Sequence, residues 1–179
     1  MPFNYEKEAA VTMSEEFHAD LVPARAFRYA LNNAIGSLQE LDRIKKALFY
    51  GREYFCFKKD YLPGCEEFLS EFANPQQAIN IIHGILGVAT EAGEMLELLR
   101  DVINGNKQFD ALNLREECGD NLWYLALLAR ELGETLTDIQ RANIAKLRTR
   151  YPNQFNEFDA NHRNLEAEEK ALNGFLGEK

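Results

Sequence analysis

The stretch NPQQAINIIHGILGVATEAGEMLELLRDVINGN, residues 74–106, constrains the fold more than any other. Asn74 is a good N-cap, Pro75 suits a first helical position where no N–H is needed, and Asn-Gly-Asn closes the run. One long helix is the expectation. Its mostly apolar interior carries Glu91 and Glu94 one turn apart, with Val88, Met95 and Leu98 on the same side. A pair of acids on a wet face needs no explanation, but a pair inside an apolar stripe does.

The rest of the chain reads in the same period. A first helix is expected over 5–19, stopping before Pro23, and a second over 24–49, with Phe27, Leu31, Ile35, Leu38, Leu41 and Ile44 at helical spacing. Residues 50–64 read as a loop in which EYFCF could form a short strand, and a short helix is expected over about 65–73. Asn113 and Glu116 resemble a capping pair that opens NLREECGDNLWYLALLAREL, which Gly133 ends. Thr137 and Gln140 form a T-x-x-Q box for the next helix, stopped by Pro152, and a last helix is expected over 163–173, ended by Gly174. The fold class this predicts is all-α: a helical bundle centred on the three helices between 75 and 151.

At 179 residues the chain can bury one real core. A net charge of −9 argues against a nucleic-acid groove, which needs a basic surface. Cys56, Cys65 and Cys118 form no C-x-x-C pair, so neither a disulfide framework nor a thiolate zinc site is expected. The first residues lack the basic start and apolar run of a signal peptide, and the longest apolar run, Leu122 to Ala129, is too short to span a bilayer. A cytoplasmic protein with no membrane partner is the expectation.

Glu117 and Asp120 repeat the one-turn acid pair on the following helix, in company with Tyr124, Leu127 and Leu128. A short loop makes the two helices antiparallel neighbours, and Gly87, Gly93 and Gly119 would permit close approach. Acids facing one another at ~5 Å repel by about 3 kcal/mol per pair at an effective dielectric of ~20. Such a cluster needs protons, basic partners or bound cations, and an all-oxygen cage suits Mg²⁺ or Mn²⁺. Either pair alone is weak and is ordinarily surface decoration; two pairs on adjacent apolar faces favour a metal site. In DIQRANIAKLRTRYP, Asn143, Lys146 and Arg150 share a helix face suited to phosphate oxygens, although a solvated helix end would carry the same cations.

The blocks GVATEAGEMLELL, NLREECGDNLWYLALLARELG and NIAKLRTRYP, spanning about 80–152, together resemble the MazG-type all-α nucleoside triphosphate pyrophosphohydrolases. That superfamily pairs E-x-x-E with a later E-x-x-D and an N-x-x-K-L-x-x-R-Y stretch. The tail FNEFDANHRNLEAEEKAL is similar to phage-encoded members, which would put the protein in a host cytoplasm. Members commonly have two adjacent glutamates at the first motif, whereas Thr90 precedes Glu91 here.

The resemblance implies metal-dependent hydrolysis of a nucleoside triphosphate, first of all a purine such as dGTP, to monophosphate and pyrophosphate. It implies Glu91, Glu94, Glu117 and Asp120 as ligands of two or more Mg²⁺ or Mn²⁺ ions and as the catalytic carboxylates. Lys146 and Arg150 would meet the polyphosphate, with Asn143 and Tyr124 as further substrate contacts. A homodimer or homotetramer is implied as well. The expected organisation is a single domain over 1–179: accessory helices to 74, a metal-binding catalytic core over 75–152, and a C-terminal loop and helix over 153–179. The rival reading is a non-catalytic helical oligomer or nucleotide-binding adaptor.

Other features read more plainly. His83 is expected as a packed helix residue, Cys118 and Trp123 as core, and the basic run 42–53 as a solvated helix end or a phosphate contact. Glu15 and His18 form one E-x-x-H unit where di-iron bundles use two. No P-loop motif is present.

Overall fold

The computed structural model describes residues 3–54, 69 and 72–176. Among these, seven α-helices and no strand occur: α1 (Tyr5–Ala10), α2 (Ala24–Tyr50), α3 (Pro75–Ile103), α4 (Ala111–Glu131), α5 (Leu136–Arg150), α6 (Glu157–Asn161) and α7 (Leu165–Leu176). The all-α expectation holds. The possible strand at EYFCF and the short helix over 65–73 fall largely outside the described residues.

Helix ends follow side-chain capping. At α3 the Asn74 side chain accepts from the N–H groups of Gln76 and Gln77, with Pro75 at the first position, as expected. The start of α4 differs from expectation. Asp110, rather than Asn113, is the cap, because its carboxylate accepts from both Leu112 and Asn113 N–H groups. Asn113 lies inside the helix and donates to Glu117 at 2.9 Å instead. Gly133, at φ 71°, turns the chain just past Leu132. α5 begins two residues before the expected box. Thr135 accepts from Asp138 N–H while its hydroxyl donates to the Asp138 carboxylate, a side-chain cap two residues earlier. α1 is shorter than the predicted 5–19, α6 forms within the expected loop, and α7 continues through Gly174 to Leu176.

The chain divides into two compact units. One comprises residues 22–132, hence α2, α3 and α4; the other comprises 1–21 and 133–179, hence α1 and α5 to α7. The helix α5, expected at the centre with α3 and α4, thus groups with α1 and α7.

In the first unit, α3 is the middle helix, packed by α2 and by α4. α3 and α4 run antiparallel. Gln77 and Asn80 at the start of α3 bond the backbone and side chain of Glu131 at the end of α4, at 2.8 and 3.0 Å. The approach is closest at Gly87, where an added Cβ would lie 2.1 Å from the Tyr124 ring, and at Gly84, where it would meet Leu128 at 2.6 Å. Gly93 faces the other neighbour, with Leu38 of α2 at 2.9 Å from such a Cβ. Gly119 has nothing within 4 Å and plays no part in the approach. In the second unit, α5 packs on α7 and α1, with Ala142 and Ile144 buried.

Candidate metal centre

The close helix crossing brings the acid pairs face to face. Glu91, Glu117 and Asp120 present carboxylate oxygens that all lie within 4.8 Å of one another. Glu91 and Glu117 are buried and Asp120 is exposed. Glu94 stands outside this three-way convergence, yet it lines the same 440 Å³ cavity as Glu91 and Asp120. Burial, and then the neighbouring Glu91 charge, push the Glu94 carboxyl above its ordinary value. Glu117 is raised by burial and by Glu94, against the lowering effect of the Asn113 amide. These are the signs of a site short of positive charge.

Part of the compensation comes from α2, which the sequence reading left outside the site. Lys45 is 2% exposed and donates to Thr90 Oγ1 at 2.6 Å and Glu91 Oε1 at 2.9 Å. Its ammonium also lies 3.5 Å from Asp42 Oδ1 and 5.2 Å from the centroid of the Tyr124 ring. Burial draws the Lys45 pKa down, but the bond and charge of Glu91 outweigh it and the net direction is up. Asp42 Oδ1 is buried and accepts no hydrogen bond, while Oδ2 pairs with Lys46. The basic run at 42–53 is therefore not simply a solvated helix end.

The donor set fits hard divalent cations: carboxylate oxygens only, two of the carboxylates buried, and one buried Asp42 oxygen without a donor. Tyr124 borders the same cavity. Burial and the Tyr50 hydroxyl raise its pKa to about 12, so it stays a neutral hydroxyl across the physiological range.

The residues expected to meet phosphate belong to the second unit, where Arg150 and Asn143 are engaged. Arg150 makes two bonds to Glu168, 2.9 and 2.6 Å, and Arg163 makes two more to the same carboxylate. These guanidinium bonds hold Glu168 down at about 2. Asn143 Oδ1 accepts from the Tyr5 hydroxyl at 3.2 Å. Lys146 is half-buried.

Other expectations divide. His83 is packed as expected, stacked on Phe49 at 4.0 Å. Cys118 and Trp123 are not core: Cys118 is exposed and Trp123 is 58% exposed. Glu15 does not join His18; Glu16 and Glu157 surround it on an exposed surface.

Two antiparallel helices thus bring together an acidic cluster of two buried carboxylates and one exposed one in an all-α frame. Residues 84–155 match the family model of the MazG nucleotide pyrophosphohydrolase domain. No curated protein and no solved structure matches the chain. The segment 84–155 is accordingly similar to the MazG domain, whose description is that of a nucleotide pyrophosphohydrolase. It contains all four motif acids together with Asn143, Lys146 and Arg150, whereas Asp42 and Lys45 lie outside it. No helix among the described residues is long and apolar enough to cross a membrane.

Proposed function

We propose that the protein hydrolyses a nucleoside or deoxynucleoside triphosphate to its monophosphate and pyrophosphate, with Glu91, Glu94, Glu117 and Asp120 holding two or more Mg²⁺ or Mn²⁺ ions. The observation that supports this furthest is the convergence of Glu91, Glu117 and Asp120 inside the segment similar to the MazG domain. In the reaction a water oxygen bonds to the α-phosphorus, the α–β bridging oxygen leaves with pyrophosphate, and the water gives up a proton. The bound ions would supply a lowered pKa for a coordinated water and neutralise charge on the leaving group.

The chain's own groups complete the chemistry. One carboxylate of the cluster, left partly free of the ions, takes the water's proton. Tyr124, as a neutral hydroxyl on the cavity wall, offers a hydrogen bond to substrate. Lys146 and Arg150 would meet phosphate oxygens, with Asn143 on the same face of α5. A purine nucleotide, dGTP first, is the substrate we would try. A homodimer or homotetramer in the cytoplasm, a host cytoplasm for a phage-encoded chain, completes the reading.

A nucleotide-binding adaptor without turnover is the second reading. It keeps the acidic site and its ions but not the hydrolytic step. The test is turnover on the eight common NTPs and dNTPs with Mg²⁺ and then Mn²⁺, products separated by chromatography. Monophosphate plus pyrophosphate is expected. Diphosphate plus orthophosphate would move the cleavage to the other anhydride, and no turnover by metal-loaded protein would favour the adaptor.

A further inference from the structure

We propose that Lys45 is a positioning residue of the acidic site: a built-in monocation that holds the Glu91 carboxylate and sets how tightly the cluster takes divalent ions. This rests on the metal reading above. The ammonium is almost wholly buried, bonded to Glu91 Oε1 at 2.9 Å and to Thr90 Oγ1 at 2.6 Å, with Asp42 Oδ1 3.5 Å away. Thr90 is in turn anchored, since its hydroxyl donates to Gly87 O at 3.0 Å. Lys45 borders the 440 Å³ cavity, but its ammonium is already engaged by Glu91 and Thr90.

Its effect on the cluster has two parts with opposite signs. It repels any divalent ion that approaches Glu91, and it fixes one Glu91 oxygen so that the other is presented in a constant direction. The first part weakens metal affinity. The second makes the bound state a single geometry, which favours turnover. A lysine that served only to stabilise the core would change neither.

The test uses the full chain and Mn²⁺ as the probe, with free Mn²⁺ read by electron paramagnetic resonance. In Lys45→Met, Mn²⁺ should half-saturate the protein at roughly tenfold lower concentration, the size of a unit charge's repulsion on a divalent ion ~6 Å away at a water-like dielectric. Lys45→Arg keeps the charge and should stay near wild type. Thr90→Val leaves the ammonium with Glu91 as its main partner and should shift the midpoint the other way. On nucleotide, Lys45→Met should lower kcat with KM little changed, whereas a substrate-contacting lysine would raise KM.

A folded Lys45→Met protein with the wild-type Mn²⁺ midpoint overturns the proposal. If that variant does not fold, Thr90→Val decides, and an unmoved midpoint there overturns it equally. Failure of wild type to bind Mn²⁺ would instead remove the metal reading itself, and this inference with it.

Discussion

Lys45 and the acids it faces form one unit in which each charge depends on the others. Removing a carboxylate from the convergence should therefore act on metal and on turnover together. Glu117→Gln and Asp120→Asn should each abolish the rise in melting temperature that Mg²⁺ or Mn²⁺ gives, and lower kcat by roughly two orders of magnitude or more. Differential scanning fluorimetry with and without metal checks the first, and the nucleotide assay the second. A preserved metal shift in both variants would move the metal site elsewhere. The four motif acids were legible because each pair sits at one-turn spacing in an apolar helix. Asp42 and Lys45 were not, because their role depends on how α2 packs on α3, which no local pattern encodes. A signal was nevertheless present. Leu31, Ile35, Leu38, Asp42 and Lys45 follow one another at steps of four and three, so the last two continue the apolar stripe of α2. Charged residues that continue a buried stripe are candidates for a site.

At the scale of elements, the glycines of α3 and α4 separate by what faces them. Gly87→Ala puts a methyl 2.1 Å from the Tyr124 ring and should destabilise the protein by about 1–3 kcal/mol in urea unfolding, from overpacking. Gly119→Ala, with nothing within 4 Å in mid-helix, should stabilise by roughly 0.5–1 kcal/mol. The sequence suggested glycine-mediated approach for Gly87, Gly93 and Gly119 alike, since glycine spacing does not say which face a neighbour occupies. Cap positions were missed for a related reason. Asp110 and Thr135 each sit a few residues before an equally plausible cap, and only the bonds actually formed select between them. The clasp of α5 and α7 gives a pH dependence. The Glu168 carboxyl is held at about 2 against an ordinary value of 4.5, so its stabilisation is complete above pH ~4.5 and lost as pH falls toward 2. Glu168→Gln should lower the melting temperature at pH 7 and flatten its decline over that acid range. A variant that tracks wild type in thermal melts from pH 7 to 2 would count against the clasp.

At the scale of the whole molecule, α4 leaves Leu122, Trp123 and Leu125 exposed at 52, 58 and 41%. These three apolar side chains lie together on the helix that carries Glu117 and Asp120. Self-association is the expected outcome: light scattering should give a dimer or tetramer, and Trp123→Asp should shift it to smaller species. A monomeric wild type at micromolar concentration would reject this. All-α class was legible throughout, since helical period and caps are local; the grouping of α5 with α1 and α7 was not, because it depends on which side chains meet, Tyr5 with Asn143 and Arg150 with Glu168, and no local pattern encodes that. The helix crossing at Gly87 has a consequence for variation in this gene. Glycine is the sole residue without a Cβ, so every codon change at that position that alters the amino acid inserts a wedge between the helices bearing Glu91 and Asp120. The gap between the acids is thus gauged by a residue that holds no charge and touches no ion, and selection on catalysis would reach it as strictly as it reaches the carboxylates.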